Sequence, residues 1–143
     1  MTTTAPTGRA GNASASYPIA SDEDVVRFRH QVRAAAVSIG MRLVDQTKLV
    51  TAASELARNA LEHGGGGQGE VEVVGAHGAA GVRLLVEDDG PGIADVELAL
   101  VDGYSGAGIG MGLGLPGARR LVDVFEIWSQ VGVGTCVTVE KWT

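Results

Sequence analysis

Cysteine, proline, lysine and aromatic residues are all scarce in this chain, and each scarcity removes a class of explanation. A single cysteine, Cys136, leaves neither a disulfide framework nor a thiolate zinc cluster. In its alternating apolar stretch it reads as a small buried hydrophobe. The only lysines are Lys48 and Lys141, and no Gly-Lys-Ser/Thr triplet occurs, so a P-loop is excluded. Basic residues number 11 against 17 acidic ones, net −6. That balance argues against nucleic acid and against an anionic membrane surface, since both need a basic face. No apolar run approaches the ~18 residues of a membrane helix. The opening MTTTAPTGRAGNASASYP has no charged-then-apolar leader pattern, so a cytoplasmic protein is expected. Aromatics at 4% beside hydrophobics at 45% call for an aliphatic core.

Glycine, in contrast, is abundant, with 22 residues in a chain of 143. That length fits one domain. Residues 1–14 are small and polar and read as a disordered tail, with one domain over 15–143. Residues 15–20 suit a short edge strand, kept at the edge by Pro18. Ser21-x-x-Asp24 reads as a capping start for a helix whose apolar positions are Val25, Phe28, Val32, Ala35 and Ile39, ended by Gly40. Asp45 opens a second helix, roughly 45–63, with the stripe Leu49, Ala52, Leu56 and Ala60. Glu70–Val74 and Val82–Glu87 read as strands around His77-Gly78. A short helix over Ala94–Val101, a glycine loop over 103–114 and a third main helix over Pro116–Val124 follow. Strands Phe125–Val131 and Thr135–Trp142 close the chain around Gly132-Val133-Gly134. The order predicts an α/β (α+β) two-layer sandwich, with one mixed or antiparallel sheet and helices on one face.

Three stretches carry candidate chemistry. On the second helix, Glu55 and Asn59 lie four residues apart and share a face, with His63 next in line. A carboxylate and a carboxamide so placed can orient a nucleophile and hold hydrated magnesium, which keeps waters and favours oxygen ligands. The plainer alternative is a solvated helix face. Asp88-Asp89-Gly90-Pro91-Gly92 ends a strand in a sharp turn. There a carboxylate can accept from an exocyclic amine such as adenine's, while Gly90 and Gly92 admit a flat base close to the backbone. Gly108, Gly110, Gly112 and Gly114 run into a helix, the arrangement of a phosphate cradle or lid. Gly112–Gly117 also matches G-x-G-x-x-G, but no strand immediately precedes it and no βαβ unit surrounds it, against a Rossmann site.

Taken in order, Glu55-x-x-x-Asn59, Asp88-x-Gly90-x-Gly92, Gly110-Met111-Gly112-Leu113-Gly114-Leu115 and Gly134-Thr135 resemble the nucleotide-binding boxes of the GHKL ATPases, the superfamily of gyrase, Hsp90, histidine kinases and MutL. The runs SELARNALEHG, VEDDGPGI, GLGLPGARRLVDVF and GVGTCVTVEKW are most similar to the bacterial partner-switching kinases of the RsbT and RsbW group, on the RsbT side. The resemblance implies a Bergerat-type sandwich with a glycine-rich ATP lid, and ATP with magnesium as cofactors. It implies Glu55 as general base and Asn59 as magnesium ligand. Asp88 would bind the adenine amine, supported by Thr135. Gly90 and Gly92 would shape the base pocket. Gly108, Gly110, Gly112, Gly114 and Leu115 would form the lid, and Arg58, Arg119 or Arg120 would supply a cation for the γ-phosphate. It further implies a serine/threonine kinase acting on STAS-domain antagonist proteins and, once released, activating a PPM-type phosphatase. The alternatives are an RsbW-type kinase sequestering a sigma factor and a non-catalytic ATP-binding module.

Overall fold

The computed structural model describes residues 14–101 and 114–143. The expected tail up to residue 13 and the glycines Gly108, Gly110 and Gly112 lie outside the described residues. Ser14, assigned above to the tail, already belongs to the first strand.

Five strands form one sheet: β1 Ser14–Ile19, β2 Gly67–Ala76, β3 Ala79–Asp88, β4 Val124–Gln130 and β5 Gly134–Trp142. Their order is β1-β2-β3-β5-β4, and every neighbouring pair is antiparallel. Pro18 sits on the edge strand β1, where a missing N–H costs no ladder bond. β2 and β3 run longer than the sequence suggested. His77 (φ 54°) and Gly78 (φ 80°) both adopt left-handed backbone and turn the chain in two residues, which lets pairing extend to Ala76–Ala79.

Helix α1, Asp22–Ser38, starts where expected. The Ser21 hydroxyl accepts from the Asp24 N–H (3.1 Å), and the Asp24 carboxylate accepts in return from the Ala20 N–H (2.8 Å). Helix α2, Leu43–Glu62, begins two residues before Asp45, at Leu43, and its N-cap Arg42 makes no side-chain cap. Asp45 instead lies in the first turn, favourable for the helix dipole, and faces Arg42 (3.5 Å) and Lys141 (3.8 Å). Helix α3 is shorter than predicted, Val96–Ala99, capped by the Asp95 carboxylate. Helix α4 spans only Leu115–Arg120, not Pro116–Val124. The chain leaves it at Leu121 because Val124 is already paired to Glu140 in the sheet.

Inward-facing positions alternate along the strands. Val71 of β2, Val82, Leu84 and Val86 of β3, and Val137 and Val139 of β5 bury against Phe28, Val32, Leu49, Leu56 and Leu115 of the helices. The core is aliphatic, as composition required, and the fully buried ring of Phe28 has a cause in the backbone. Gly69 lacks the Cβ that would stand 2.6 Å from Phe28 Cε1. Cys136 is buried, facing away from the helices. Among the described residues no helix is long and apolar enough to cross a membrane.

Candidate active site

The inward rows of three strands end in polar residues at the same end of the sheet. On β3 the series Val82, Leu84, Val86 ends in Asp88; on β5 Val139, Val137 ends in Thr135; on β4 Phe125, Ile127 ends in Ser129. The register aligns them as Gly67, Asp88, Thr135 and Ser129 across β2, β3, β5 and β4. A polar rung thus crosses the sheet beneath the helices.

Asp88 occupies a recess made by glycines. A Cβ at Gly64 would collide with its carboxyl group, and one at Gly90 would stand 3.0 Å from its Oδ1. The Gly90 N–H donates to Asp88 Oδ1 at 2.8 Å. Burial pushes the Asp88 carboxyl above the usual carboxylate range; the Gly90 N–H opposes this, the Asp89 charge adds to it and the Thr135 backbone N–H opposes it. Among the described residues no cation contributes. A desolvated carboxylate held only by backbone donors suits a neutral donor such as an amine. Gly92 (φ 79°) seals the turn against β4, where a side chain would strike the Gln130 carbonyl.

The second half of the site comes from α2. Its apolar stripe, Leu49, Ala52, Leu56 and Ala60, is buried as predicted and fixes the rotation of the helix. Glu55 and Asn59 are left half-buried on the flank. Glu55 faces the end of the glycine loop: a Cβ at Gly114 would collide with its carboxylate. Gly114 has φ 70° and begins α4. Asn59 is joined to the Asp88 recess through the backbone, because its carbonyl accepts from the N–H of Gly64, the residue that lies on Asp88. One short path, Glu55–Asn59–Gly64–Asp88, therefore links a carboxylate and carboxamide to the recess. Leu115 is buried in the core, where it anchors the base of the loop. Arg58 is exposed on α2, and Arg119 and Arg120 are exposed in the last turn of α4.

Two participants escaped the sequence reading. Gly64 lies just past the predicted second helix, yet it forms a wall of the recess. Ser129 looked like an ordinary strand residue, yet its hydroxyl meets three groups: it accepts from the Ile93 N–H (2.8 Å), approaches the Gly134 carbonyl (3.1 Å) and pairs with Thr135 Oγ1 (2.8 Å). The available signal was a polar residue closing an inward apolar alternation.

This geometry can be set beside known proteins. Residues 44–142 match the family described as histidine kinase-, DNA gyrase B- and HSP90-like ATPase. The chain is 40% identical over 131 residues to the serine/threonine-protein kinase RsbT of Bacillus subtilis (strain 168), covering 92% of this chain and 98% of that protein. This chain is a GHKL ATPase of the RsbT kinase family. Its fold is similar to a crystal structure of the RsbU and RsbW domains of a Mycobacterium tuberculosis protein, at TM-score 0.60 and 22% identity. That match covers 92% of this chain and 32% of the larger one. As a GHKL ATPase of the serine/threonine kinase type, the chain carries its ATP-binding fold from α2 through β5, the elements that build the recess and the Glu55 flank. The antiparallel sheet agrees with the sandwich expected from the resemblance; among the described residues every strand pair is antiparallel.

Proposed function

We propose that the recess at Asp88 receives the adenine of ATP, that the Glu55 flank is where phosphate leaves it, and that the acceptor is a serine or threonine of a partner protein. The observation that carries this reading is the Asp88 recess itself. It is glycine-walled, desolvated and without a cation, so it fits an exocyclic amine and a flat ring. The length of a nucleotide then runs toward α2 and Gly114. There, Asn59 would hold magnesium, which when bound neutralises phosphate charge. Among the described residues there is no cluster of three or more acidic, His or Cys ligands. A site that shares its ion with phosphates and waters needs none.

Glu55 would take the proton from the incoming hydroxyl as its oxygen forms the new bond to the γ-phosphorus and the bond to the β–γ bridging oxygen breaks, leaving ADP. Such transfer asks the protein mainly for alignment and charge neutralisation. Gly108, Gly110, Gly112 and Gly114 would close over the phosphates, with Arg58, Arg119 or Arg120 as a further cation. The protein substrates would be STAS-domain antagonists, and the released kinase would bind and activate a PPM-type phosphatase in the cytoplasm. The similarity to RsbT along almost its whole length supports these partners over a sigma factor.

The test is transfer of label from γ-labelled ATP with magnesium into STAS-domain proteins of the same cell. Label on serine or threonine, absent with Glu55→Gln, is expected. ATP binding without transfer to any of them would replace the kinase reading with an ATP-sensing module.

A further inference from the structure

We infer that Ser129 is a positioning residue that fixes the hydrogen-bond polarity of the base pocket, and thereby its preference for a 6-amino purine over a 6-keto purine. The inference rests on the reading of the Asp88 recess as a purine site and deepens it.

A serine hydroxyl has one proton to give. Of the three groups around Ser129 Oγ, the Gly134 carbonyl can only accept and the Ile93 N–H can only donate. With the Ser129 proton given to the Gly134 carbonyl, its lone pairs face Ile93 and Thr135. In that arrangement Thr135 donates across the 2.8 Å contact and Ser129 accepts. With its own proton committed, Thr135 presents only lone pairs to the pocket. Thr135 stands directly across the ladder from Asp88, on the same face. The rung therefore offers two acceptors side by side, a carboxylate and a hydroxyl oxygen.

A 6-amino purine brings a donor to that wall. A 6-keto purine brings an acceptor, and its oxygen would lie against lone pairs with no proton to share. Unmatched polar groups of this kind discriminate strongly. Ser129 touches neither base nor phosphate in this scheme. It acts through Thr135, and through Ile93 it also pins the turn that follows Gly92 to β4. Replacing Ser129 by alanine would free the Thr135 hydroxyl to rotate and donate, so that a keto oxygen becomes acceptable.

The experiment measures equilibrium binding of ATP and inosine 5′-triphosphate to the full chain and to S129A, S129T and T135V. Wild type is expected to prefer ATP. In S129A the ATP-to-ITP affinity ratio should fall about tenfold, chiefly through improved ITP binding. S129T keeps the hydroxyl and should restore the ratio. T135V should lower the ratio by itself, and S129A added to it should change nothing further. A general loosening of the turn would weaken both nucleotides together and leave the ratio untouched; that result in a folded S129A, or a wild type indifferent between the two, overturns the inference. A wild type that binds neither nucleotide would instead overturn the purine-site reading on which it stands.

Discussion

In the proposed site, Asp88 would set stability against function in one side chain. Desolvation raises its pKa, so the folded state holds the proton more tightly than the unfolded chain does. Stability from this group is present at acidic pH and is lost as pH rises through the folded-state value; a constant penalty remains above it. Asp88→Asn should therefore be at least as stable as wild type at pH 7, the gap closing as pH falls, while ATP affinity drops by at least about tenfold. Thermal melts across pH with nucleotide titrations check both halves. An amine donor favours the charged carboxylate, so wild-type ATP affinity should weaken as pH falls through the Asp88 value. Within the candidate site, spacing on one helix face singled out Glu55 and Asn59, a strand end before a sharp turn singled out Asp88, and the resemblance alone pointed to Thr135. The sequence hid Ser129 and Gly64, because the contact of Ser129 with Thr135 depends on strand register and that of Gly64 with Asp88 on how the turn after α2 packs on β3.

At the scale of elements, glycine placement decides what α2 and α4 can do for each other. Gly114 combines left-handed backbone (φ 70°) with direct contact on Glu55. Gly114→Ala should cost about 1–3 kcal/mol from backbone strain and should also displace the Glu55 carboxylate. The expected signature is a fall in kcat larger than any rise in KM for ATP, read by steady-state kinetics beside a urea melt. Element existence and order were legible throughout: α1 from its cap, α2 from its stripe, the strands from their alternation. Boundaries were less so. The predicted third main helix was cut to Leu115–Arg120 because pairing of Val124 with Glu140 claims the following residues. β2 and β3 outgrew their predicted spans because the His77-Gly78 turn continues the ladder to its end.

At the scale of the whole molecule, the two faces of the sheet carry different groups. The helix-facing side of the sheet carries the core and the polar rung. The other side carries the Arg83 guanidinium between Glu140 (2.8 Å) and the 2%-exposed Glu72 (3.3 Å), with Trp142 Nε1 donating to Glu140. Removing the shared cation leaves a buried carboxylate without its arginine. Arg83→Met should thus cost about 3–5 kcal/mol, with unchanged ATP affinity in the remaining folded protein. Chemical denaturation and nucleotide binding on the same sample separate the two effects. The two-layer sandwich followed from the pattern of elements; the placement of Arg83 between two glutamates did not, since it depends on strand order.

The most direct measurement is single-turnover phosphoryl transfer from γ-labelled ATP to a STAS-domain protein, run beside ATP binding, for wild type, Glu55→Gln and Asp88→Asn. Glu55→Gln should bind ATP as wild type does and transfer about 10²–10⁴-fold more slowly, whereas Asp88→Asn should fail at binding. Undiminished transfer by Glu55→Gln, or full ATP affinity in Asp88→Asn, would contradict the assignment of the α2 flank to chemistry and the β3 recess to the base.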